Sequence, residues 1–345
     1  MLHNASDKKL MEAVYERPGN SGVIKIKEAM ETKLNAGEVM VKAEFGSVNH
    51  VDIWGRMDYP WHKFPRRFGS DLSGTIDDAG TSSTFKKGDR VLLYPIKFCG
   101  KCERCLSANE NSCLTRELYG DHVPGFFAQK VSVPEKNVIK LPENVSLETA
   151  AALPVAYTTA WHGLVSRAGL RPGINVLILG GSGGAGVAAL QIAKAFGARV
   201  FTTTSQQWKS ERLIKLGAEG VFEINEKLPE NVLNSSGGID IAFDTLGALT
   251  VPMGIRTLKR GGKLVSIAMT TGSEFNFGLR DIYSNNIDVI GAYLGTRNDL
   301  FDLVRAVSSG AIKPVIDSLF PFEEVARAQE KMENRTHFGK ILLKF

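Results

Sequence analysis

Outside residues 99–113 this 345-residue chain contains no cysteine. That excludes a disulfide framework tying distant segments together, and it leaves no thiol elsewhere for a nucleophile or a second thiolate metal site. The chain also lacks any run of about 18 apolar residues, so no segment reads as a membrane span. It lacks a block of like charge: 42 Lys and Arg against 37 Asp and Glu give a net +5. The densest basic cluster, Lys63 to Arg67, is broken by Phe64 and Pro65. Nucleic-acid and membrane-surface partners are therefore not expected, while a mildly basic surface suits small anionic ligands. The first nine residues are polar with no hydrophobic signal core, so a cytoplasmic location is expected. Internal repeats and low-complexity tracts are absent.

What the chain does have is a stretch from Gly173 to Ala198 that organises the rest. Val176 to Leu179 is a short apolar run, as in a strand buried on both faces. Gly180-Gly181-Ser182-Gly183-Gly184-Ala185-Gly186 then turns the chain, and Val187, Leu190, Ala193 and Lys194 follow at helical spacing. Gly181, Gly183 and Gly186 fit Gly-x-Gly-x-x-Gly between a strand and a helix. The first glycine permits the turn, the second lets a pyrophosphate approach the backbone, and the third packs helix on strand. The free N–H groups of the first helical turn, Gly184, Ala185, Gly186 and Val187, are expected to receive the phosphates.

At this length two domains are expected. Residues 1–150 read as an all-β, barrel-like domain with strands near 11–15, 22–27, 38–48, 74–76, 90–94, 128–133 and 138–141. The third alternates Val39, Val41, Ala43 and Phe45. From Ser146 the pattern changes: residues 150–168 are helical in composition. Strand and helix then alternate through 176–179, 187–196, 199–203, 209–216, 220–222, 239–244, 251–258, 263–267 and 289–293. Such alternation predicts a doubly wound parallel sheet, an α/β domain over 151–295. Residues 296–345, with a helix at 299–309 and a strand at 340–345, are expected to return to the first domain, where that strand finds a sheet.

The cysteines follow Cys99-x2-Cys102-x2-Cys105-x7-Cys113 within a lobe at about 95–115. Two disulfides fit poorly with a reducing compartment. Four thiolates so close together suit one tetrahedral Zn²⁺, and a Cys₄ shell leaves no position open to substrate, so the expected zinc is structural.

The β-rich first half, four-cysteine lobe and glycine turn together resemble the medium-chain dehydrogenase/reductase superfamily, the zinc alcohol dehydrogenases and their quinone oxidoreductase relatives. The resemblance extends over Asn49-His50-Val51-Asp52, Gly69-Ser70-Asp71-x-x-Gly74, Lys87-Gly88-Asp89-Arg90-Val91, Leu153-Pro154-x-x-Tyr157-Thr158-Thr159-Ala160, Asp244-Thr245-x-Gly247 and Gly339-Lys340. It implies a GroES-like β-barrel domain joined to a Rossmann domain, with the active site in the cleft between them and a homodimer or homotetramer as the assembly.

Departures from the alcohol dehydrogenases are informative. Asn49 stands where they place a cysteine, Gly69-Ser70-Asp71 replaces their Gly-His-Glu, and no cysteine lies near Val155. His50 and Asp52 alone do not make an open three-ligand zinc site. Without a Lewis acid, hydride delivery to an activated C=C or a quinone remains feasible, because the substrate's own carbonyl takes up the charge. Asn49 resembles the asparagine of quinone oxidoreductases, and Tyr59-Pro60 resembles a pair in their substrate loop; these are the candidate catalytic residues. Trp54, Trp61 and Phe64 are candidates to shape an apolar pocket.

The segment after the second Rossmann strand carries Thr204, Ser205 and Lys209, with no Asp or Glu at the strand end. Hydroxyls and a cation suit a ribose 2′-phosphate, so NADP(H) is expected over NAD(H). The resemblance further implies cofactor contacts at Thr159, Asp244, Thr245, Ser266 and Ile267, and cations from His50 and Lys340 against the pyrophosphate. The expected activity is NADPH-dependent reduction of an enone, an enoyl thioester or a quinone. The alternatives are an alcohol dehydrogenase with an atypical catalytic metal and a non-enzymatic NADPH-binding regulator.

Overall fold

The fold was analysed in a computed structural model, which describes residues 9–345. The chain forms two compact units: one runs to Val155 and resumes over Ile316–Phe345, and the other comprises Ala156–Val315.

In the first unit the strand Glu38–Ser47 is the hub. It pairs antiparallel with Asp71–Asp78 on one side and Lys340–Lys344 on the other, and with Lys130–Pro134 along its first half. Arg90–Leu93 and Val138–Lys140 extend the sheet beyond Asp71–Asp78, and Ile316–Pro321 lies parallel to the last strand. Val39, Val41 and Ala43 enter a core with Leu72, Ile76, Val91 and Val131. A register shift between Ala43 and Phe45 then turns Phe45 away. It packs with Ala151, Ala152 and Leu342 instead. Bulges change facing in this way by inserting one residue, which the simple alternation in the sequence does not reveal. A smaller sheet of Lys9–Tyr15, Ile24–Met30 and Arg66–Arg67 completes the unit.

The second unit holds a six-stranded parallel sheet in the order Gly220–Phe222, Arg199–Thr203, Asn175–Leu179, Ile239–Asp244, Leu258–Ser266, Asp288–Gly291. Asn175–Leu179 and Ile239–Asp244, the first and fourth of these strands along the chain, are neighbours, so the winding direction reverses there, and Leu179 lies opposite Asp244 at their C-terminal ends. Ligands of doubly wound sheets bind at such a reversal.

Two expectations need correction. The boundaries fall at 155/156 and 315/316 rather than at 150/151 and 295/296. The helix Arg297–Ser308 stays with the second unit because Asp299 accepts from Ser166 and bonds the His162 ring at 2.8 Å. The chain over 150–168 is helical, but π-helical turns interrupt it at Leu153–Tyr157 and His162–Arg167. The first contains Pro154, which offers no N–H for a regular α-helical ladder.

Candidate functional site

The four cysteines converge as the spacing predicts. Their Sγ atoms all lie within 4.8 Å of one another, at 3.5 Å for Cys102–Cys105, 3.8 Å for Cys99–Cys105 and 3.9 Å for Cys102–Cys113. A tetrahedral zinc with Zn–S bonds of about 2.3 Å needs sulfurs about 3.8 Å apart. Backbone N–H groups of Lys101 and Cys102 point at Cys99 Sγ, and that of Cys99 at Cys113 Sγ. N–H groups of Leu114 and Cys105 push the Cys102 thiol down to about 6, while burial pushes Cys105 up to about 12. Thiols this close resist joint deprotonation, and a divalent cation at their centre removes the conflict. The donor set fits zinc.

The glycine turn fits a dinucleotide. A Cβ on Gly181 would meet Thr202 Oγ1 at 1.9 Å, and one on Gly186 would meet the Gly180 carbonyl at 2.1 Å. A Cβ on Gly183 would meet nothing within 4 Å, so the second glycine faces open space where a ligand approaches. The helix Gly184–Ala195 starts there with no side-chain cap, which leaves the Gly184, Ala185 and Gly186 amides ahead of its first internal bond. Val187 differs from expectation: its N–H already donates to the Gly183 carbonyl at 2.9 Å.

Around that turn several candidates prove to hold the protein itself. Asp244 is fully buried: the Thr250 hydroxyl donates to one oxygen and the Gly247 N–H to the other at 2.8 Å. Burial pushes its carboxyl up to about 6. Thr245 Oγ1 donates to the carbonyls of Leu179 and Gly180, and the Ile267 N–H donates to the Asp244 carbonyl. Ser266 ends the fifth strand and Thr159 is buried in the helix Thr158–Trp161. Thr204 is buried, Ser205 is exposed, and Lys209 is buried with its Nζ 5.3 Å from the Trp208 ring centroid.

The first unit contains a polar cluster that no short motif encodes. The buried Asp71 carboxylate accepts from Ser47 Oγ at 2.5 Å, Asn49 Nδ2 at 2.8 Å, Lys340 Nζ at 3.2 Å and the Val155 N–H at 2.9 Å. Lys340, only 1% exposed, also donates to the Val48 carbonyl at 3.1 Å and to Asn49 Oδ1 at 2.5 Å. An ammonium has three donors, and all three are spent. Lys340, for which the resemblance implies a place against the pyrophosphate, here pairs with Asp71. Asn49 is committed as well, since its Nδ2 also points at the Ser47 carbonyl at 3.4 Å. His50 is open to solvent yet crowded by protein. Desolvation, then the charges of Lys340 and Arg335, lower its pKa to about 4, leaving a neutral ring at pH 7 where a cation was expected. Asp52 is buried, accepts from the Asn49 N–H at 2.7 Å, and has its carboxyl raised to about 7, first by burial.

Tyr59 lies half-buried in the loop after Met57. Its ring stacks on Trp61 at 4.7 Å, and its hydroxyl donates to the Met57 thioether at 3.5 Å, a weak acceptor.

Two family domains match the chain: an alcohol dehydrogenase GroES-like domain over residues 35–143 and a zinc-binding dehydrogenase domain over residues 184–309. With both in place and relatives matching end to end, the chain belongs to the medium-chain dehydrogenase/reductase superfamily of oxidoreductases. Among its relatives, an acryloyl-coenzyme A reductase of Metallosphaera sedula is 31% identical over 96% of this chain and 99% of its own. The human quinone oxidoreductase is 30% identical over 98% and 99%. A crystal structure of an NAD-dependent alcohol dehydrogenase superposes with a TM-score of 0.91 at 32% identity, covering 97% of this chain and 99% of that one. Among the described residues no helix is long and apolar enough to cross a membrane.

Proposed function

We infer that this oxidoreductase reduces an activated C=C, as an enone or enoyl thioester, or a quinone, with NADPH and without a metal at the reacting carbonyl. One observation carries the reading: the Asp71 carboxylate beside Asn49 already holds a buried ammonium, so a metal cation there would have to displace Lys340. Relatives named acryloyl-CoA reductase and quinone oxidoreductase support the substrate class.

When bound, a nicotinamide would supply hydride to the electron-poor carbon; the electron pair would move toward the substrate oxygen, and a proton from solvent water would complete the reduction. The Gly184, Ala185 and Gly186 amides bind the pyrophosphate, with Gly183 leaving the approach open. Tyr59 donates a hydrogen bond to the oxygen that gains charge. Asn49 acts through position, as a strut between Lys340 and Asp71. Thr204, Ser205 and Lys209, with no carboxylate to repel a 2′-phosphate, support NADPH over NADH. The zinc in the cysteine lobe is structural. The edge strand Asp288–Gly291, with Val289 and Tyr293 exposed, supports a homodimer or homotetramer paired along that edge.

The test measures zinc per chain together with NADPH and NADH oxidation on 2-cyclohexenone, acryloyl-CoA and a quinone. One zinc per chain and turnover with no added metal is the expected result. Two zinc ions, with activity confined to alcohols and aldehydes and lost with the more labile ion, would replace this reading by alcohol dehydrogenation. Tight NADPH binding without turnover on the whole panel would point to a regulator.

A further inference from the structure

Beneath Tyr59 lies a histidine in an unusual setting. The His62 side chain is fully buried. Its Nδ1 lies 2.7 Å from the Met57 carbonyl oxygen and its Nε2 lies 2.9 Å from Asp121 Oδ1. Both partners are acceptors. A neutral imidazole has one N–H and one lone pair, so it would set that lone pair against an oxygen at one of these contacts. A ring with hydrogen on both nitrogens satisfies both.

Other polar and charged groups surround the pair. The other oxygen of Asp121 is 3.0 Å from His122 Nδ1, and the Arg66 guanidinium donates to the backbone carbonyls of Gly120 and Asp121. Lys63, next in the chain, is exposed. The remaining neighbours are aromatic: Tyr59, Trp61 and Phe64 meet the His62 ring edge-on at 5.3, 5.8 and 6.1 Å. The His62 backbone N–H also donates to the Tyr59 carbonyl at 2.9 Å. Thus His62 ties both ends of the Met57–His62 turn to Asp121, and the Tyr59 ring is wedged between it and Trp61.

We propose that His62 is a positioning residue: a ring clamped between Met57 and Asp121 that fixes Tyr59 so that its hydroxyl, held only by the weakly accepting Met57 thioether, can turn to the carbonyl oxygen of the acceptor. This rests on the reading of Tyr59 as the acceptor-side donor. Loss of either clamping bond frees the turn and lets Tyr59 drift from the acceptor.

The test joins a structural and a kinetic readout on the full-length protein. In spectra of ¹⁵N-histidine-labelled protein at pH 7, both His62 nitrogens should carry hydrogen. In the reduction of 2-cyclohexenone by NADPH, His62→Gln should lower kcat roughly ten- to hundred-fold, the scale of a small misplacement at a reacting group. It should leave NADPH affinity and zinc content unchanged. Tyr59→Phe should lose a comparable factor, and the double variant should be no worse than the poorer single one. Asp121→Asn provides a second way to break the clamp if His62→Gln does not fold. A His62 ring with hydrogen on only one nitrogen, or variants that keep the wild-type kcat, would overturn the inference. Absence of turnover on every acceptor would remove the functional reading, whereas the His62 spectrum decides the clamp independently of activity.

Discussion

Replacing Lys340 by Met tests the buried cluster at its charge centre. The side chain of Lys340 is 2% exposed and that of Asp71 0%, so neither charge has water to fall back on. Removing the ammonium leaves Asp71 with three neutral donors: Ser47 Oγ, Asn49 Nδ2 and the Val155 N–H. It also strips a donor from the Val48 carbonyl and from Asn49 Oδ1. Breaking a buried pair from one side costs about 3–5 kcal/mol, most of it the uncompensated charge. Asp71→Asn strands the ammonium and should cost a similar amount. The double variant removes both charges and should recover to within about 1–2 kcal/mol of wild type. Guanidinium unfolding of the four proteins measures all of this, with NADPH affinity followed in parallel. A Lys340→Met protein that unfolds at the wild-type denaturant concentration but binds NADPH poorly would refute the argument, because Lys340 would then serve the cofactor and not Asp71.

Other consequences are as direct. Gly183→Ala should leave stability within about 0.5 kcal/mol, since its Cβ enters open space, while weakening NADPH binding; Gly181→Ala should destabilise the fold outright by driving a methyl into Thr202. Urea melts and dinucleotide titrations separate the two. Asp52 ionises at 3.8 when unfolded but at about 7 when folded, so the folded state holds the extra proton between those values and stability falls as pH rises through them. Asp52→Asn should flatten that fall, matching wild type near pH 4 and exceeding it near pH 8 by on the order of 4 kcal/mol at most; melts across that range provide the check. Cys105→Ser should release the zinc on mild chelation and make the lobe susceptible to proteolysis, which metal analysis and limited digestion read together.

What the sequence discloses depends on how far apart the partners lie. The glycine turn and the cysteine lobe are legible because each is a run of neighbours, with spacing that maps onto geometry. The parallel sheet is legible from strand–helix alternation. Lys340 is 269 residues from Asp71 and 292 from Val48, so its saturation cannot be inferred from any local window. Family likeness suggests a phosphate-facing cation, and only the tertiary contacts reveal the pairing with Asp71. The His62–Asp121 clamp spans 59 residues and escapes for the same reason. Asp244 and Thr245 do stand at strand ends, but their side chains are occupied in fastening the turns that shape those ends.

The division of the first unit by the second bears on how the protein is made. Its hub strand, Glu38–Ser47, leaves the ribosome before the second unit, whereas the strand that covers one side, Lys340–Lys344, leaves after it. The second unit lies wholly between them and can complete its sheet first, reversing the usual order in which the N-terminal domain leads. Until Lys340–Lys344 is made, part of the hub strand has an open edge, a template for wrong pairing. A nascent chain arrested before Ile316 should accordingly contain a folded second unit and a first unit in need of protection, a burden set by connectivity alone.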